Sequence, residues 1–126
     1  MKHSVVHFEI PADDLPALID FYTKLFGWKI TKWADPAADP KEAGEMEYWM
    51  IDTDAEPNGG MMPRQHPQQG PMNYVLVESV DDYAKKAEEL GAKVLLPKMA
   101  VSTMGWMAVL QDPQGNAFGI FQPAEM

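Results

Sequence analysis

Apolar and polar residues alternate over residues 4–10. Val6, Phe8 and Ile10 fall on one side, His7 and Glu9 on the other. Period-two alternation predicts a half-buried strand. Asp13 and Asp14 then supply a helix start, with Pro16 acceptable in the first turn. Leu15, Leu18, Ile19, Tyr22 and Phe26 follow at helical spacing, and Gly27 is a natural stop. Residues 28–33 and 47–52 read as strands, separated by a loop over 34–44 rich in Pro, Ala and acids. After a turn at 54–58, residues 59–62 form a short strand. Its two glycines suggest a bulge or a close backbone approach. The segment PRQHPQQGP at 63–71 is polar and proline-rich and reads as a linker.

The pattern then begins again. Residues 73–77 predict a strand and 81–90 a helix stopped by Gly91. Residues 93–96, 103–110 and 116–121 predict strands, the last two joined by a DPQGN turn at 112–116. The order strand, helix, three strands therefore occurs twice. LFGWKI at 25–30 is echoed by LGAKV at 90–94, and a Trp-Met pair recurs at Trp49-Met50 and Trp106-Met107. Such self-similarity marks a degenerate two-fold repeat. The expected class is α+β, one domain over residues 1–126. Two βαβββ modules, 1–66 and 71–126, form a curved mixed sheet shaped as a cup. Concave, mostly apolar cups with a few polar groups are default ligand sites.

Composition narrows the function. A chain of 126 residues suits one compact domain. It has no cysteine, which excludes disulfides and thiolate chemistry. No apolar h-region opens the chain and no apolar run is long enough for a bilayer span, so a cytoplasmic protein is expected. The formal net charge of -9 argues against nucleic acid and anionic membranes as partners. Ten methionines and four tryptophans suit a pocket for a flat or greasy ligand, an ordinary core, or a dimer interface. There is no Gly-rich phosphate loop and no GxSxG elbow.

Taken in order, HFEIPADD, FYTKLFGWKI, VESVDDYAKKAEELGAKV and LQDPQGNAFGIFQ resemble the glyoxalase/bleomycin resistance/dioxygenase (vicinal oxygen chelate) superfamily, over nearly the whole chain. The closest likeness is to its uncharacterised branch related to lactoylglutathione lyase. The resemblance implies the glyoxalase/bleomycin resistance fold and, in metal enzymes of the family, one divalent ion held by two ligands from each module. His7 stands at the first ligand position. The second falls around Gly60 to Met62, the third at Val75 and the fourth at Gly119, none of which offers a carboxylate or imidazole. No metal cofactor is expected. A divalent metal remains the alternative, with His7 as its ligand and a triad of His7, Glu9 and Glu47 as an atypical set. His3 and His66 are poor ligand candidates, placed near the chain start and in the proline-rich segment.

His7 and Glu9 are the catalytic candidates, because a neutral imidazole near a carboxylate can act as a general base. A pocket histidine satisfied by a hydrogen bond is the plainer reading. The ligand-lining candidates are Tyr48, Trp49, Met50, Met61, Tyr74, Trp106 and Phe118. Alternation puts either Tyr48 and Met50, or Trp49 and Ile51, on the concave side. The expected function is binding of a small, partly apolar molecule, as a sequestering protein or a metal-free enzyme. A metal-dependent lyase, isomerase or dioxygenase and a protein-interaction module are the alternatives. A homodimer is expected from the surplus of large apolar groups.

Overall fold

The computed structural model describes residues 2–33 and 47–124. The loop expected over 34–44 lies outside the described residues. Elements follow the order β1 (Val5–Ala12), α1 (Leu15–Phe26), β2 (Lys29–Lys32), β3 (Trp49–Asp52) and β4 (Asn58–Pro63). They continue with β5 (Met72–Leu76), α2 (Val80–Glu89), β6 (Lys93–Val101), β7 (Gly105–Gln111) and β8 (Ala117–Pro123). Among the described residues, 6–71 form one compact unit and 72–124 with 2–5 form another.

The first unit is a mixed sheet in the order β2-β3-β4-β1. β1 and β4 run parallel, while β3 is antiparallel to both β2 and β4. The second unit has the matching order β6-β7-β8-β5, with β5 parallel to β8 and β7 antiparallel to β6 and β8. Each unit is therefore strand, helix, three strands, as the repeated pattern predicts.

Local chemistry sets the helix ends. The Asp14 carboxylate accepts a hydrogen bond from Ala17 N at 3.1 Å, satisfying an orphan donor of the first turn of α1. Gly27 closes that helix at φ 72°, its N–H returning to Thr23 O. Ser79 caps α2 through its hydroxyl, which accepts from Asp82 N at 3.1 Å. Each helix covers one face of its own sheet. Under α1 lie Ala12, Leu15, Ile51 and Met61, with Phe8, Ile10, Trp28 and Trp49 packed beside them. Under α2 lie Val77, Val80, Ala108, Leu110 and Ile120, with Val94, Trp106 and Phe118.

Three segments differ from the sequence reading. β6 runs on to Val101 rather than stopping at Leu96. It is the outer strand of its sheet, where Pro97 costs no inner ladder bond, and it absorbs the proline with register shifts on both sides of Leu96. β7 begins at Gly105, because residues 102–104 form a turn in which Ser102 is left-handed at φ 51°. The proline-rich segment is tied back to the first unit. Arg64 N donates to Ala12 O at 2.8 Å, Arg64 Nε binds Asp13 Oδ1 at 2.8 Å, and the Arg64 guanidinium also donates to Gln69 O. At the chain start His3 joins the second unit, with Nδ1 3.0 Å from Leu76 O and Nε2 2.9 Å from the Tyr83 hydroxyl.

Leu110 is 1% exposed and Leu90 is 71% exposed. Truncation leaves a cavity only at the first position. Leu110→Ala is expected to lower unfolding free energy by about 2–5 kcal/mol, and Leu90→Ala by less than about 0.5 kcal/mol. Urea titration followed by circular dichroism measures both.

Candidate functional site

β1 separates its side chains as alternation requires. Phe8 and Ile10 pack toward α1, and His7 and Glu9 project from the opposite face. Register extends that face across the first sheet. Glu9 pairs with Gly60, Gly60 with Met50, and Met50 with Thr31, so these four positions share one row. Trp49 and Ile51 belong to the α1 core. Tyr48, one residue before β3, is therefore on the side of Met50.

Gly60 is what allows Tyr48 to reach β1. A Cβ built at position 60 would stand 1.9 Å from the Tyr48 hydroxyl oxygen and 2.2 Å from Cζ. The ring lies directly on the glycine backbone. From there the hydroxyl donates to Glu9 Oε2 at 2.8 Å and stands 2.7 Å from His7 Nε2. A phenol has one hydrogen, and Glu9 takes it, so His7 Nε2 carries the N–H and donates to the Tyr48 oxygen. The chain of donors runs His7 to Tyr48 to Glu9. All three side chains are half-buried. Burial pushes the His7 pKa below its ordinary 6.5, because desolvation penalises the imidazolium. Trp33 meets the Tyr48 ring edge to face, with centroids 6.2 Å apart at 76°.

The second unit repeats the device. Gly119 on β8 pairs with Tyr74 on β5, and a Cβ at 119 would stand 2.2 Å from the Tyr74 ring. Tyr74 is 5% exposed. In both units a glycine on the last strand is overlaid by a tyrosine ring.

The nominated residues divide accordingly. His7, Glu9, Tyr48 and Met50 come together on one face of the first unit. Trp49 and Met61 pack instead on its helix side, and Trp106 and Phe118 pack under α2. Tyr74 lies on the helix-free face of the second unit. Val75 pairs with Ile120 and so faces α2, which puts Tyr74, opposite Gly119, on the face away from α2. Glu47 accepts from Trp49 Nε1 at 3.2 Å, on the far side of β3 from Tyr48, and does not join His7 and Glu9. Sequence reading missed Trp33 and the central place of Tyr48. The adjacent glycines at 59 and 60 were the available signal, since they mark where rings press on backbone.

These residues do not fit the family's usual metal set. At positions 60 and 119 the space a carboxylate side chain would take is filled by tyrosine rings, and no group of three His, Cys, Asp or Glu converges among the described residues.

Residues 4–120 match the family model described as Glyoxalase/Bleomycin resistance protein/Dioxygenase superfamily. The anthracycline biosynthesis protein DnrV of Streptomyces peucetius is 32% identical over 128 residues, covering 94% of this chain and 46% of DnrV. The chain thus spans about half the length of that relative. Among solved structures, hypothetical protein BH1468 from Bacillus halodurans C-125 superposes with a TM-score of 0.73 at 11% identity, covering 100% of this chain and 98% of that one. Methylmalonyl-CoA epimerase from Mycobacterium tuberculosis gives 0.67 at 12% identity, covering 98% and 93%. At these identities the two structures establish the fold.

The lowered His7 pKa has a consequence for stability. Below pH 6.5 the unfolded chain takes up a proton on this imidazole that the folded chain resists. The contribution to stability is full above 6.5 and declines as pH falls toward the folded pKa. His7→Gln keeps a side-chain N–H donor but does not titrate. Its unfolding free energy is expected to fall less than that of the parent between pH 7.5 and 5.5, by chemical denaturation at each pH. An imidazole NMR titration midpoint for His7 at or above 6.5 would contradict the assignment.

Proposed function

This chain belongs to the glyoxalase/bleomycin resistance protein/dioxygenase superfamily, and we propose that it binds a small, flat, partly apolar molecule without the metal usual to that family. The ligand lies on the face of the first unit that carries His7, Tyr48, Glu9 and Met50. One observation carries the reading: the Tyr48 hydroxyl bridges His7 Nε2 and Glu9 Oε2 at 2.7 and 2.8 Å. The bridge is a polar anchor beside Trp33 and Met50, which offer an aromatic edge and a polarisable surface. A few placed polar groups on an apolar wall suit a ligand with one oxygen function on a flat body. The role of DnrV in anthracycline biosynthesis supports a polycyclic ligand of that shape. The metal-dependent alternative is disfavoured by the tyrosine rings lying on Gly60 and Gly119.

The partner, beyond the ligand, is a second copy of the chain. Phe21, Leu25 and Phe26 on α1 are 54%, 57% and 57% exposed, more apolar surface than one helix of a monomer ordinarily shows to water. Light scattering at micromolar protein is expected to give twice 14.1 kDa. A particle of 14.1 kDa at every concentration would remove the dimer and leave the ligand reading untouched.

Ligand binding is tested with 1,8-dihydroxyanthraquinone, followed through the indole N–H of Trp33. At about −0.3 kcal/mol per heavy atom its dissociation constant is expected near ~100 μM. Tyr48→Ala is expected to weaken binding at least about tenfold, the loss of one hydrogen bond and one ring contact. Trp106→Phe, in the other core, should leave it unchanged. Elemental analysis of the protein used is expected to find no stoichiometric Fe, Ni, Zn or Mn. One equivalent of any of these, lost with binding in His7→Ala, would favour the metal enzyme.

A further inference from the structure

We propose that the groove between α2 and β6 is a second ligand site, and that it takes an α-amino acid with an apolar side chain. The groove belongs to the second unit alone and lies on its helix side. It is therefore independent of the ligand face assigned to the first unit.

The groove follows from how α2 packs on its sheet. Val80 and Ala84 of α2 face the core, and alanine at 84 and at 108 on β7 leaves open a space that larger side chains would close. That space is about 500 Å³, within the range of small-molecule sites. Its bed is Val80 and Ala108, both fully buried, with Ala84 and Val94 half-buried beside them. Pro97 forms part of the β6 wall.

Charge on the rim decides what this apolar bed can hold. Lys98 Nζ binds Asp81 Oδ2 at 2.8 Å and stands 5.4 Å from the Trp106 ring centroid, so that pair is already closed. Lys85 and Glu88 also line the groove, at i and i+3 on α2, where side chains are neighbours. Among the described residues neither the Lys85 ammonium nor the Glu88 carboxylate has a partner. The rim therefore offers one uncommitted cation and one uncommitted anion, side by side. A fatty or aryl carboxylate would satisfy Lys85 but stand against Glu88, and the formal net charge of -9 repels it. An apolar amine would satisfy Glu88 but stand against Lys85. An α-amino acid carries both charges on one carbon and has no net charge. Its carboxylate meets Lys85, its ammonium meets Glu88, and its side chain covers Ala84 and Ala108. Both rim groups are exposed, so each ionic contact is weak, and half-saturation is expected at about 1 mM.

The test is a titration of isotope-labelled protein with L-phenylalanine, followed by amide and indole NMR signals. Saturable shifts are expected at Ala84, Lys85, Glu88 and the Trp106 indole. Phenethylamine and 3-phenylpropionate, each with one of the two charges, should bind about threefold weaker. Ala84→Leu keeps helix propensity and fills the groove, and should abolish the shifts while its circular dichroism matches the parent. Lys85→Gln and Glu88→Gln, both at exposed positions, should each weaken binding about two- to fivefold. Lys86→Gln is the control, since Lys86 Nζ lies 5.8 Å from the Tyr83 ring centroid and not on the groove. No saturable shift near α2, or shifts confined to Trp33 and its neighbours, overturns the site. A folded Ala84→Leu that binds like the parent overturns it too. 3-Phenylpropionate binding as tightly as phenylalanine, with Glu88→Gln unchanged, overturns the amino-acid assignment.

Discussion

The site depends on a ring lying flat on a backbone. Tyr48 enters at the start of β3, two strands away from His7 and Glu9, and β4 stands between them. Any side chain at position 60 would collide with the ring at contact distances no real Cβ shows. With glycine there, the phenol spans the intervening strand and joins two residues of β1. The hydrogen bonds, the fixed histidine tautomer and the placement of Trp33 all follow from that single absence. Gly59 does the same on the opposite face, where its Cβ would stand 2.5 Å from the Phe8 ring. The two glycines read together explain how one short strand carries a polar hub above and an aromatic core below.

The fold was legible because its signals are local. Alternation on β1, the Asp14 cap and the Gly27 stop each rest on a few adjacent residues, and the second pass through the same order exposes the repeat. Strand ends were less legible. The strand read over 93–96 stops one residue before Pro97, yet on an outer strand a proline removes no inner hydrogen bond and pairing with β7 resumes at Met99. The site was legible in its β1 half only. His7 and Glu9 could be placed on a face from alternation alone. Which of Tyr48 or Trp49 shared that face depends on the register of β3 against β4, a contact between segments distant in sequence. The same limit applies to Val75, where the resemblance puts the third ligand position. Spacing along the chain cannot show that Val75 pairs with Ile120 and turns toward α2, leaving Tyr74 on the other face of the sheet.

Tryptophans and methionines illustrate a related point. Their abundance suited a pocket, a core and an interface equally well. Trp49 and Trp106 fill cores under the two helices, with Lys98 Nζ 5.4 Å from the Trp106 ring centroid, and Met61 is fully buried. Composition counts these side chains without assigning them a face. Trp49 pairs with Met61, one residue beyond Gly60, and Trp106 with Gln122, three beyond Gly119, so the repeated Trp-Met pair does not mark equivalent positions in the two units.

Replacement of carboxylates by glycine and tyrosine changes what such a surface can do to an oxygen atom. A divalent cation stabilises a negative oxygen through full charge. A phenol offers one hydrogen bond, fixed in direction and weaker. Tyr48 directs its hydrogen at Glu9 Oε2, and its oxygen stands against His7 Nε2. On the proposed reading, a ligand oxygen meets this hub as a hydrogen-bond partner rather than as a metal ligand, beside the apolar surface of Trp33 and Met50.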